Sequence, residues 1–321
     1  MSSAQDPAPD DPGDPLWLPP KPRRDRSLVV AGVGIAIALV AGLLFSLFGG
    51  ANAILGAGDA EQTVVIGTTE GSQDYWPVLQ RLAAEEGITI KVVNFADYSQ
   101  PNPALAQGQT DLNLFQHLLF LASYNVEAGE DLVPVGSTVV VPLGLYSRKY
   151  TAVGDIPDGA EIAIPNDPTN QARALLVLQQ AGLIRLVGGG SVTSTPADVD
   201  AAGSRVKVVP ISAQQTVTSL PSVAAAVINN GFAMDADIDP SSAIYNDDAT
   251  SPAAQPYINA FAARAEDKDN PLFARIVELY HDPEVIKAVR EASRNTSVIV
   301  DLPADELQRI TVGLQEQLSD E

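Results

Sequence analysis

The 321-residue chain contains no cysteine. That excludes disulfides, thiol catalysis, cysteine-ligated metals and acylation of an N-terminal thiol. Histidine is nearly absent too: His117 and His281 are the only two, so a histidine-rich metal cluster cannot be assembled and any metal would rest on carboxylates. Positive charge is scarce. Against 40 Asp and Glu stand 19 Lys and Arg, a formal net charge of −21, which makes the body of the protein a poor surface for nucleic acid or acidic lipid. There is no Gly-x-Ser-x-Gly elbow, no phosphate loop and no His-Glu-x-x-His pair. Carboxylates are so frequent that their proximity in sequence carries no weight. The expectation is a protein that is not an enzyme and needs no cofactor.

What is present begins with an unusual N-terminal region. Residues 1–26 carry seven prolines among Asp, Ser and Gly and read as a disordered tail. Lys21, Arg23, Arg24 and Arg26 then precede Ser27 to Phe48, 22 residues without a charge. As a helix that run would extend about 33 Å at ~1.5 Å per residue, enough for a bilayer core of ~30 Å. The basic flank predicts a cytoplasmic tail (1–26), a transmembrane helix (27–48), a small-residue linker (49–61) and an extracytoplasmic remainder in the cell membrane. Ala51-Asn52-Ala53 has the form of a signal-peptide cleavage site, but the apolar run exceeds the ~7 to 15 residues of a signal core, which favours an uncleaved anchor.

Beyond residue 48 the chain holds 35 acidic and 15 basic residues and alternates strand with helix. Val64 to Ile66 predicts a strand, Trp76 to Ala83 a helix ending near Gly87, and Ile88 to Val92 a second strand. An apolar helix near Phe115 to Tyr124, a strand near Val135 to Val141 and further strands at Val206 to Val209, Ala224 to Ile228 and Tyr257 to Ala262 continue the α/β pattern. Helical spacing covers Pro271 to His281, Pro283 to Ser293 and Ala304 to Gln317. The clearest segment is Ile162 to Ala181. Three apolar residues predict a buried strand; Asp167 is a good N-cap, Pro168 suits the first helical position, and Gly182 suits a left-handed stop. Asn170 and Arg173 then share a face with the unpaired N–H groups of the first turn, a corner that attracts a carboxylate. The plainer reading is a capped helix whose Arg173 makes a surface ion pair.

Ligands of α/β sheets sit beyond the carboxyl ends of the strands. Asp97-Tyr98, the run Asn113, Phe115, Gln116 and His117, Asn166 to Arg173, and Asn229 all fall at such places. Each has a simpler reading by itself: a core histidine, core phenylalanines at 115 and 120, turn residues at Tyr98 and Asn229.

Taken together these segments resemble the methionine-binding substrate-binding proteins of bacterial ABC importers, the NlpA-type family. The resemblance is carried by ADYSQPNPALAQGQTDLNLFQH from Ala96, IPNDPTNQARALLVLQQAGLI from Ile164, AAAVIN from Ala224 and PYINAFAARAEDKD from Pro256. It implies a two-lobed, periplasmic-binding-protein-like fold with two crossover strands, lobe I formed by 62–143 and 250–321 and lobe II by 144–249. It also implies a methionine ligand and an ABC permease with its ATPase as partners. Arg173 would hold the ligand carboxylate, Asn170 and Asn229 its backbone groups, and Tyr98, Phe115, His117 and Phe120 its side chain. Three features depart from the family: a transmembrane segment replaces an acylated cysteine, Leu118 to Leu121 reads Leu-Leu-Phe-Leu where Lys-Pro-Tyr-Leu is usual, and the segment before Asn229 lacks a Pro-Arg pair. These leave open another apolar amino acid, a short peptide, or an envelope sensor without a transport role.

Overall fold

The computed structural model describes residues 62–320. The tail, the apolar run at 27–48 and the linker lie outside the described residues. Among the described residues no helix is long and apolar enough to cross a membrane.

Apolar strand runs punctuated by capped helices build two five-stranded mixed sheets. The first half of the chain supplies β1 (Gln62–Thr68), α1 (Tyr75–Glu85), β2 (Ile88–Asn94), α2 (Pro101–Ala106), β3 (Leu112–His117), α3 (Leu118–Ala128), β4 (Val133–Ser137), β5 (Val139–Val140) and β6 (Gly144–Tyr146). There follow β7 (Glu161–Pro165), α4 (Pro168–Gln180), β8 (Lys207–Ile211), α5 (Gln215–Ser219), β9 (Ala225–Ile228), α6 (Asn230–Asp235) and β10 (Tyr245–Asn246). The chain closes with β11 (Asn259–Ala263), α7 (Pro271–Tyr280), α8 (Pro283–Ala292), β12 (Val298–Ile299) and α9 (Ala304–Ser319).

The first sheet has the order β2-β1-β3-β11-β4, with β1 parallel to β2 and β3, and β11 antiparallel to both β3 and β4. Trp76, Leu79, Phe261, Phe273 and Ile276 fill its core. The second sheet has the order β10-β6-β9-β7-β8, with β7 parallel to β8 and β9. Leu175, Val177 and Leu178 of α4 are fully buried on it, each contributing roughly 1.5–3 kcal/mol of burial. The predicted local signals of α4 are all used: Asp167 Oδ1 accepts from the Asn170 backbone N–H at 3.1 Å, Pro168 occupies the first turn, and Gly182 takes φ +71°.

Three expectations need correction. The helix predicted near Phe115 begins only at Leu118, because β3 lies between β1 and β11 with all six residues buried. A strand covered on both faces shows no alternation, so its apolar run is indistinguishable from a helix by period. The chain passes between the sheets twice, and only the first passage contains a strand, the short β5 paired with β12. The second, between β10 and β11, is a turn followed by a 3-10 segment, Pro252–Tyr257. Finally, Asn229, read singly as a turn residue, is the extended residue that precedes the helix α6.

Candidate ligand-binding site

The carboxyl ends of β1, β2, β3, β7 and β9 bring residues at or just beyond them to a common cavity that opens to solvent. Tyr98, Phe115, His117 and Phe120 reach this cavity from the first sheet, and Asn170, Arg173 and Asn229 from the second. All seven residues singled out from the sequence therefore line one space.

Arg173 is 3% exposed and is not the surface side chain of the plainer reading. Its Nε donates to Asp247 Oδ2 at 2.7 Å and its Nη2 to the Val141 carbonyl at 2.8 Å, while the guanidinium lies 4.1 Å above the centre of the Tyr257 ring. The other Asp247 oxygen accepts from the Leu143 N–H at 2.8 Å. The ion pair thus orients the fork and ties together the two passages between the sheets. Nη1 and one Nη2 hydrogen have no acceptor among the described residues. Those donors present the geometry that takes a carboxylate side by side.

Beside it runs a relay of amides. Asp167 Oδ1 accepts from Asn170 Nδ2 at 2.8 Å, which turns Asn170 Oδ1 toward Asn229 Nδ2 at 2.9 Å and His117 Nε2 at 3.4 Å. With its Nδ2 used in this way, Asn229 has its Oδ1 buried and without a partner among the described residues. A buried acceptor of this kind can take a hydrogen bond from a donor placed in the cavity. His117 Nδ1 accepts from the Phe120 N–H at 3.0 Å, so the imidazole caps α3 and carries its proton on Nε2. Burial, and secondarily the Arg173 charge, push its pKa down to about 3. It is a neutral wall of the cavity.

The remaining wall is aromatic. Tyr98 packs on Phe115 and Phe120 with ring centres 6.0 Å apart in each case, and on Phe232 at 4.9 Å. Phe115 and Phe120 meet edge to face at 5.7 Å. Behind Phe115, Gln116 exchanges two 2.7 Å hydrogen bonds with Asn102, which satisfies the polar groups buried under the aromatic floor.

Sequence reasoning missed Asp247, Tyr257, Phe232 and Glu70. Asp247 stands 74 residues from Arg173, in an Asn-Asp-Asp run that reads as a turn. Tyr257 and Phe232 lie in runs read as strand and turn. Glu70 sits in the loop after β1, and the strand-end rule that singled out Tyr98 pointed there equally. Among so many acids it carried no distinguishing mark.

Three comparisons bear on this geometry. The family model described as NlpA lipoprotein matches residues 64–300. The "D-methionine-binding lipoprotein MetQ" of Salmonella typhi is 35% identical over 257 residues, covering 78% of this chain and 93% of that protein. Among solved structures, the substrate-binding protein of a methionine transporter from Streptococcus pneumoniae matches with a TM-score of 0.69 at 37% identity, over 74% of this chain and 95% of that one. A nutrient-binding protein from Burkholderia cenocepacia bound to methionine matches with a TM-score of 0.69 at 37% identity, over 74% and 99%.

Proposed function

The chain belongs to the NlpA lipoprotein family, and from that premise we propose that it captures methionine outside the cytoplasm and delivers it to an ABC permease. The observation that carries this reading is the complementarity of the cavity to a zwitterion with a soft apolar side chain. Arg173 offers unspent Nη donors to the carboxylate, and Asn229 offers an unpartnered Oδ1 to the ammonium. Tyr98, Phe115 and Phe120 supply rings against which a thioether gains roughly 0.3–1.5 kcal/mol. Two lobes, 62–143 with 250–321 and 144–249, close over the ligand, and the permease with its ATPase receives it. The charge-free run at 27–48 tethers the protein as a single transmembrane helix, since a sequence without cysteine offers no thiol for a lipid.

The test is thermal unfolding of the protein after denaturation and refolding to strip retained ligand. L-Methionine is expected to raise Tm more than leucine, glutamine or alanine. At ~100 times Kd the added stability is about 2.7 kcal/mol. No shift with methionine and a shift with another amino acid would refute the substrate. A second reading, a short methionine-containing peptide, is favoured by an adjoining pocket that shares Glu70, Phe115 and Asn230 with the first. Including dipeptides in the panel separates the two.

A further inference from the structure

One ionisable group in the cavity wall has no part in the recognition described so far. Glu70 leaves β1 in a loop whose backbone is pinned on both sides: its N–H donates to Thr68 Oγ1 at 3.1 Å and its carbonyl accepts from Trp76 Nε1 at 3.0 Å. Its side chain lines the cavity together with Asn229 and Gly231. The carboxylate has no hydrogen bond and no cation partner among the described residues.

Glu70 is half-buried, and its neighbours offer its carboxylate no cation. From α6 comes Asp235, a like charge that accepts from Ser72 Oγ at 2.7 Å and Gln73 Nε2 at 3.3 Å. Tyr75 from α1, Tyr280 from α7 and Tyr98 face it, all with phenols held above their ordinary range by burial first. None of these is a cation. A Cβ at position 231 would stand 2.3 Å from Glu70 Oε1. The glycine therefore lets a side chain from the first sheet press against the backbone two residues beyond Asn229. A carboxylate and a buried amide oxygen, neither with a partner among the described residues, thus belong to residues that line the same cavity.

We propose that Glu70 is the acceptor for the ammonium group of the bound amino acid, so that this site selects ligands with a free amine. The inference rests on the amino-acid reading given above. Burial, with Asp235 second, pushes the Glu70 carboxyl up to about 7. An ammonium beside it favours the ionised form. Capture near neutral pH therefore releases a proton from the Glu70 carboxyl to the buffer, while the ligand amine keeps its three hydrogens. His117, with its pKa near 3, does not titrate in this range. Asp167, also raised by burial, gives wild type and a Glu70 variant the same background.

The experiment is titration calorimetry of L-methionine and of its des-amino analogue, 4-(methylthio)butanoate, against ligand-stripped wild type and Glu70→Gln at pH 6 and pH 8. Wild type is expected to bind methionine about tenfold more tightly at pH 8, as a carboxyl of pKa about 7 passes from a tenth to nine-tenths ionised. In Glu70→Gln that dependence is lost and the pH 8 affinity falls about tenfold. The des-amino analogue binds both proteins alike at both pH values. Wild type alone gives an independent reading, since calorimetry in two buffers of different ionisation enthalpy at pH 7 is expected to show release of about half a proton per methionine. Methionine binding with parallel pH profiles in both proteins, or without proton release, overturns the role of Glu70 and leaves the methionine reading intact. Absence of methionine binding to wild type at either pH overturns the methionine reading, and the inference with it.

Discussion

Arg173 is both anchored and turned to the cavity at the residue scale. Its Nε and one Nη2 hydrogen are spent on Asp247 and the Val141 carbonyl, which fixes the guanidinium plane, and only the outer edge faces the cavity. Arg173→Ala is expected to lower methionine affinity by roughly two to four orders of magnitude, the equivalent of about 3–5 kcal/mol for a buried charge left without its partner. It should also lower Tm, because Asp247, 15% exposed, loses its cation. Arg173→Lys retains a charge near Asp247 but cannot present a planar pair of donors, so stability should recover more than affinity. Calorimetry together with thermal unfolding distinguishes the two effects. Wild-type affinity in the alanine variant would refute the binding role.

At the scale of the element, the N-terminus of α4 couples helix stability to the shape of the cavity. Asp167 caps the backbone N–H of Asn170 and also holds the Asn170 side chain, whose oxygen orients Asn229. Asp167→Ala is expected to cost about 0.5–2 kcal/mol in urea unfolding through the lost cap. It should weaken methionine binding as well, since Asn170 is then free to rotate. Asp167→Asn retains an oxygen for the cap and should restore most of the stability. Unchanged affinity in Asp167→Ala would show that the relay of amides does not orient the site. The start of α3 follows a related plan: His117 caps that helix through Nδ1, so the same imidazole ends a strand, begins a helix and walls the cavity.

The molecule as a whole places its chemistry between two sheets that each have their own core. Side chains from the first sheet supply the aromatic surface, and those from the second supply Arg173 and the amides. A ligand touching both is released when either side opens, so it stabilises both against local unfolding. Saturating methionine is expected to slow amide hydrogen exchange in β3 and α3 and, together with them, in β9 and α4. Protection confined to one sheet would show that the ligand does not span the cavity.

The sequence by itself determined those features whose causes lie within a few residues. Asp167, Pro168 and Gly182 bounded α4 because capping, a preset φ and a left-handed stop are local effects. The βαβ order and the polar residues at strand ends were legible for the same reason, and the resemblance assigned those residues their roles. Tertiary structure alone decided what depends on approach between distant segments. It carried β3 past the expected helix start by burying both its faces, and it paired Arg173 with Asp247 across 74 residues. It left Asn229 Oδ1 without a partner among the described residues and set Glu70 against Gly231. Protonation belongs to the same class. The neutral His117 and the raised Glu70 carboxyl arise chiefly from burial, and burial exists only once both sheets have enclosed the cavity.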